Sequence, residues 1–162
     1  MLEPLKRARV TTITTAIPNV DSLRGLTAKA LFIDAAFGAA IAVGLKNLGF
    51  TNVFEINNGS QSPDLHFANM RAFQWAKCKE WLLLGGLRDD DELCSQLALP
   101  GYHTNSTGKL VIESKKSLQD RGEKSPDDAD AFALTFARNV AGIDRSRQKR
   151  YISRETKRIK WA

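Results

Sequence analysis

The chain alternates between short apolar runs and longer stretches of mixed polarity, most clearly between residues 30 and 56. Residues 30–34 read Ala-Leu-Phe-Ile-Asp and predict a short buried strand that ends in an acid. An apolar, small-residue stretch to Leu48 predicts a helix, and Gly49 suits the position just after it. Residues 50–56 predict a second strand. A strand–helix–strand order indicates a parallel pair with a right-handed crossover, so we expect an α/β fold.

The rest of the pattern predicts further elements on both sides of this unit. Residues 9–17 are rich in β-branched side chains and indicate a strand. Residues 67–84 carry apolar side chains at helical spacing, and residues 89–97 predict a short helix with an acidic first turn. Residues 102–113 predict a β-hairpin with its turn at residues 105–108.

Residues 125–137, Ser-Pro-Asp-Asp-Ala-Asp-Ala-Phe-Ala-Leu-Thr-Phe-Ala, predict a helix whose first turn is crowded with carboxylates. Ser125 suits the N-cap and Asp128 approaches a capping-box position. Asp127 and Asp130 are three apart and share a face. Acids are favourable at any helix N-terminus, and this alone explains Asp127 and Asp128. Asp130 lies deeper, before an apolar run, where a divalent cation is one way to compensate a buried carboxylate.

Asp34 is a second candidate for chemistry. It follows a predicted parallel strand, and ligands bind beyond the carboxyl ends of such strands. The alternative is an acid that caps the helix after it. The pattern alone leaves both interpretations open.

Composition and charge set the outer bounds. A chain of 162 residues with 43% hydrophobic and 26% charged residues indicates one soluble globular domain. No apolar run approaches a membrane span, and no phosphate-binding Gly-x-x-x-x-Gly-Lys-Ser/Thr motif is present. Cys78 and Cys94 lack zinc or redox spacing, so reduced thiols in the cytoplasm are expected.

The net charge of +6 is concentrated in residues 144–162, which contain eight Lys or Arg and two acids. Such a tail suits the phosphates of DNA, and the alternative is a solvated end. Within the domain, two lysines follow the predicted hairpin. The candidate DNA contacts are Lys115, Lys116, Arg145, Arg147, Lys149 and Arg150.

Several segments, in order, resemble the nuclease domain of the large subunit of bacteriophage terminase. The resemblance runs from about Leu31 to Ala137, and the helix start at residues 125–135 matches best. The other matching segments are residues 32–38, 53–59, 67–72, 75–84 and 102–121.

The resemblance implies an RNase H-like mixed sheet flanked by helices, with a β-hairpin insertion. It implies an endonuclease that cuts concatemeric double-stranded DNA by two-metal hydrolysis, with Mg²⁺ or Mn²⁺. Carried over by position, Asp34 matches the strand-end acid, Asp130 the helix acid and Asp127 an auxiliary metal-facing acid. DNA, and other terminase or portal components, would be the partners, in the bacterial cytoplasm of a phage or prophage host.

One feature of the family is not found. Its first acid lies in a central first strand, but residues 1–29 contain only Glu3 and Asp21, neither in a predicted strand. That strand is therefore missing or replaced, and we expect weak metal binding and slow or absent cleavage. A non-catalytic DNA-binding packaging accessory and a decayed terminase fragment are the alternatives. The expected organisation is a divergent segment (1–29), a nuclease domain (30–143) and a basic tail (144–162).

Overall fold

The computed structural model describes residues 11–12, 30–85, 87 and 89–140, and these form five strands and five helices. In chain order the elements are β1 (Thr11–Thr12), β2 (Leu31–Asp34), α1 (Ala35–Asn47), β3 (Val53–Ile56), α2 (Met70–Leu82), α3 (Asp91–Ala98), β4 (Tyr102–Thr104), β5 (Leu110–Ile112), α4 (Lys115–Asp120) and α5 (Asp127–Leu134). None of the helices in these ranges is long and apolar enough to cross a membrane.

The first three strands form a parallel sheet in the order β1-β2-β3. Leu31 pairs with Val53 and Asp34 with Ile56, which confirms the predicted strand–helix–strand unit. The helix between them ends before Gly49, whose φ of 90° suits a residue without a side chain. On the other edge of β2, Thr11 pairs with Leu31. The rest of the strand predicted at residues 9–17 lies outside the described residues.

Side chains of β2 alternate between the two faces of the sheet, as in any extended strand. Leu31 and Ile33 pack with Ala42 and Leu45 of α1 on one face. Phe32 packs with Leu134 of α5 on the other. The sheet is therefore covered by a helix on each side, and this explains why β2 is continuously apolar.

A third cluster joins α2 and α3 to α5. Trp75 and Cys78 of α2 meet Ala129 and Ala133 of α5, because the small alanines let the helices approach closely. Leu93 and Leu97 of α3 are half-buried against this cluster, together with other side chains. Helix α5 thus packs against the sheet on one side and against two helices on the other.

The predicted hairpin is present as β4 and β5, an antiparallel pair in which Tyr102 faces Ile112. It also explains why α2 starts later than the predicted residue 67. Phe67 forms an isolated bridge with Leu110, and Ala68 N–H donates to the Leu110 carbonyl at 2.9 Å. Asn69 then caps the helix by accepting from Ala72 N–H at 2.9 Å.

The N-cap predicted at Ser125 is wrong. Pro126 occupies the cap position of α5 and makes no side-chain capping bond. The Ser125 hydroxyl instead donates to the Asp127 carboxylate at 2.7 Å. The capping function predicted for Asp128 within its own helix is not seen either, because the Asp128 carboxylate accepts from Gln96 of α3 at 3.0 Å.

Candidate active site

Asp34 ends β2 and caps α1 at the same time. Its Oδ1 accepts from Ala36 N–H at 3.0 Å, which confirms that this acid caps the helix after it. Its Oδ2 accepts from the Asn58 side-chain amide at 3.0 Å. Since a carboxylate offers about four lone-pair sites, these contacts leave acceptor capacity on both oxygens for a cation.

Asn58 follows β3 and brings a second oxygen to the same place. Its Nδ2 donates to Asp34, while its Oδ1 is buried and has no hydrogen-bond partner. A buried carbonyl oxygen without a donor carries a desolvation cost of about 1–3 kcal/mol unless something is bound there. Side-chain amide oxygens are ordinary ligands of hard divalent cations. The donor set at this strand end therefore suits such an ion.

Asp130 lies one turn into α5 and is largely buried, with 14% of its side chain exposed. Its Oδ1 accepts from Arg71 Nε at 3.0 Å and from Trp75 Nε1 at 2.9 Å. Arg71 Nη2 also lies 2.9 Å from this oxygen, without hydrogen-bond geometry. The Oδ2 atom is 3.4 Å from the Lys115 ammonium. Asp130 is thus paired with two protein cations.

Asp127 and Lys115 form the outer part of the same group. The Lys115 ammonium lies 2.7 Å from Asp127 Oδ1, and both side chains are at least half exposed. The hydrogen bond from Lys115 lowers the pKa of Asp127, with a smaller lowering from the Ser125 hydroxyl. Desolvation opposes protonation of Lys115, but its bonds to the two carboxylates outweigh this and raise its pKa. Asp127 and Asp130 therefore share one face, as their spacing predicted.

Arg71 connects the two candidate acids. Its guanidinium holds Asp130, and its Nη1 donates to the Glu113 carbonyl at 2.7 Å. Its backbone N–H donates to the Asn58 carbonyl at 3.0 Å, and the Asn58 side chain holds Asp34. Asp34 and Asp130 are in this way the two ends of one chain of contacts through Asn58 and Arg71.

The sequence pattern does not single out Asn58, Arg71 or Trp75, although all three contact the candidate acids. Trp75 is buried, at 8% exposure, but its indole N–H points at Asp130. A signal for Arg71 was available. It lies on the same helix face as Trp75, Cys78 and Leu82. A charged side chain on an apolar helix face predicts an acid that pairs with it in the folded protein.

The remaining candidates separate into two groups. Lys116 is exposed on α4, where its predicted DNA contact stays a prediction. Arg145, Arg147, Lys149 and Arg150 lie outside the described residues. Within the described part of the chain, no three Asp, Glu, His or Cys side chains converge in a metal-binding arrangement. A fuller site would need further donors, such as the Asn58 oxygen.

Comparison with known proteins gives a structural likeness without a sequence match. No family model matches the chain, and no curated protein matches it. The nuclease domain of the large terminase subunit gp2 of bacterial virus Sf6 superposes with a TM-score of 0.54 at 18% identity, over 75% of this chain and 70% of that one. A point mutant of that domain, solved with manganese, superposes with a TM-score of 0.50 at 18% identity, over 74% and 70%.

At 18% sequence identity, this likeness establishes the backbone fold alone. The element order, the parallel β2–β3 pair and the helices on both sides of the sheet agree with the α/β fold class predicted from the sequence. The chain therefore has the RNase H-like fold of the nuclease domain of the Sf6 large terminase subunit.

Proposed function

We propose that this chain is the metal-dependent endonuclease domain of a phage DNA-packaging terminase, which cuts concatemeric double-stranded DNA by two-metal hydrolysis. The observation that supports it is the placement of Asp34 and Asp130 on this fold, joined through Asn58 and Arg71. A two-metal hydrolytic centre needs several oxygen ligands held in place, and ligands bind beyond the carboxyl ends of parallel strands, where Asp34 lies.

Asp34, Asp130 and the Asn58 amide oxygen would hold the cation, with Asp127 as an auxiliary ligand. A similar domain has been solved with manganese, and oxygen donors suit both Mg²⁺ and Mn²⁺. When bound, the ions would activate water and stabilise the leaving oxygen. The chain's own residues fix the two acids: Asn58 orients Asp34, while Arg71 and Trp75 orient Asp130.

The activity is expected to be weak. The first-strand acid of the family is not found in the sequence, and two strong carboxylate ligands neutralise less of the charge of two cations than three. Substrate binding would depend on Lys115, Lys116 and the basic tail, whose contacts to phosphate are electrostatic and independent of sequence. Other terminase or portal components would be its protein partners.

A supercoiled-plasmid nicking assay with Mn²⁺ tests the proposal. Nicking should require the metal and should be lost in both Asp34→Asn and Asp130→Asn. Asparagine is chosen at position 34 because it can still cap α1. Asp120→Asn, at the exposed end of α4, is the matched control and should nick like the wild type. Nicking without metal, or nicking that survives both site substitutions, would refute the assignment.

One observation favours a second function, a non-catalytic DNA-binding packaging accessory. Asp127 and Asp130 are already neutralised by Lys115 and Arg71, so the fold satisfies them without any metal. In that case fluorescence anisotropy would show tight, salt-sensitive DNA binding, while calorimetry with Mn²⁺ would show no uptake. Replacing Lys116 and the four tail candidates by alanine should flatten the salt dependence by about one unit per lost phosphate contact. Lys77→Ala is the control.

A further inference from the structure

The helix that carries Asp127 and Asp130 begins without a capping side chain of its own. Pro126 holds the N-cap position, and it has no side-chain acceptor to offer. The first N–H groups of any α-helix lack partners inside the helix, so α5 needs acceptors from elsewhere. Asp127 N–H donates to the Ser125 carbonyl at 3.0 Å. The next two amides are satisfied from another helix.

Gln96 of α3 supplies that acceptor. Its Oε1 accepts from Asp128 N–H at 2.9 Å and from Ala129 N–H at 3.2 Å. Its Nε2 donates to Asp128 Oδ2 at 3.0 Å and to Glu92 Oε1 at 3.0 Å. Both lone pairs of the oxygen and both N–H groups of this amide are therefore in use, which fixes its orientation.

The link through Gln96 is the main polar attachment between α3 and α5. Helix α3 has no fully buried residue, and its apolar contribution is the half-buried pair Leu93 and Leu97. Asp90 caps α3 by accepting from Leu93 N–H at 3.0 Å, so the start of the helix that presents Gln96 is itself held. A capped helix thus provides the cap of its neighbour.

We propose that Gln96 is a positioning residue for the candidate metal site, an inference that rests on the proposed function. By binding the amides of Asp128 and Ala129, it fixes the first turn of α5. Asp130 is the next residue along, so its carboxylate is directed at Arg71 and Trp75 only if that turn is formed. Asp128 completes the arrangement by receiving the Gln96 amide N–H.

The test combines three variants with a readout at the helix start. Gln96→Ala removes both halves of the link. The triple variant Gln96→Glu, Asp128→Asn and Glu92→Gln exchanges donors and acceptors, because the introduced carboxylate can accept from both backbone amides and from the side-chain amides introduced at positions 128 and 92. Glu92→Gln is the matched control, since it keeps the contacts between Gln96 and α5.

Amide hydrogen exchange by NMR, in the metal-free protein, is the first measurement. Gln96→Ala should speed exchange at Asp128 and Ala129 by about fivefold to tenfold, the size of a lost cap, while amides of β2 and α1 are unchanged. The triple variant should restore the protection, and Glu92→Gln should leave it as in the wild type. Unchanged exchange at these two amides in Gln96→Ala would overturn the inference, as would a uniform loss of protection over the whole chain.

Metal uptake and nicking are the second measurement. Gln96→Ala should weaken Mn²⁺ binding by a similar factor and lower the nicking rate at saturating DNA, with the KM for DNA unchanged. The triple variant should recover both the Mn²⁺ binding and the nicking rate. A KM effect alone would overturn the positioning function. If the wild type neither takes up Mn²⁺ nor nicks DNA, the proposed function fails, but the exchange at Asp128 and Ala129 still decides whether Gln96 holds α5.

Discussion

The buried pair of Arg71 and Asp130 gives the sharpest prediction about stability. The two side chains are 15% and 14% exposed, and the guanidinium contacts Oδ1 through Nε at 3.0 Å. Removing one partner of a buried pair typically costs about 3–5 kcal/mol, because the other charge stays buried and unpaired. Trp75 and Lys115 still contact Asp130 after Arg71→Met. We therefore expect a loss near the lower end, about 3 kcal/mol.

A double-mutant cycle measures the pairwise part. Urea unfolding followed by circular dichroism at pH 7 would be run on Arg71→Met, Asp130→Asn and the double variant. The expected coupling is about 2 kcal/mol, since contacting residues in one network are not additive. The Lys77–Glu80 pair, with side chains 38% and 60% exposed, is the matched control and should couple by only about 0.3 kcal/mol.

The reasoning is refuted if both pairs give the same coupling, or if Arg71→Met unfolds like the wild type. Either result would mean that Asp130 is solvated well enough to need no internal cation. The contact between Arg71 and Asp130 would then contribute nothing to the free energy of unfolding. It would no longer support a common site for Asp34 and Asp130.

Three further predictions concern the scaffold. A methyl group at Gly38 would collide with Ile33 Cγ2, so Gly38→Ala should lower the unfolding free energy by about 1–3 kcal/mol in urea titrations. Gly44 on the same helix has open space, so Gly44→Ala should instead raise it by about 0.5–1 kcal/mol; a loss there would contradict the packing described. The hydrogen bond from Arg121 is the largest cause that lowers the pKa of Glu113 from 4.5 to about 2, so this carboxylate stabilises the fold above pH 4.5 and loses the effect as pH falls towards 2. Glu113→Gln should be less stable at pH 7 and should match the wild type by about pH 2 in acid titrations; a difference that persists there would contradict the assignment.

Most of the element order was predictable because those elements carry their own local signals; the short helix α4 was not predicted. The buried run ending at Asp34, the stop at Gly49 and the turn at residues 105–108 are features of neighbouring residues, and all appear where expected. The late start of α2 was not predictable, because it follows from the pairing of Phe67 with Leu110, residues far apart in sequence. Tertiary contacts of this kind override local pattern.

The same difference between local and tertiary signals applies to the candidate site. Asp34, Asp127 and Asp130 were found because acids next to apolar runs are conspicuous. What orients them was not found, since Asn58, Arg71 and Gln96 reach their partners only in the folded chain. The cap of α5 is the clearest case. Ser125 was the best local candidate, yet the acceptor comes from a helix about thirty residues earlier.

The two ends of the segment between β3 and α2 are hydrogen-bonded to each other. The Ser60 carbonyl accepts from Met70 N–H at 2.9 Å, and the Asn58 carbonyl accepts from Arg71 N–H at 3.0 Å. The effect of an inserted residue therefore depends on where in the chain it is placed. Extra residues at the tip of the hairpin, around residues 105–108, would extend an exposed turn and leave the acids where they are. Extra residues between Asn58 and Ser60, or between Met70 and Arg71, would break this pairing and so separate Asn58, which holds Asp34, from Arg71, which holds Asp130. Among chains that share this fold and keep both acids, the spacing of the paired residues at the two ends should stay fixed, while the residues between Ser60 and Met70 vary.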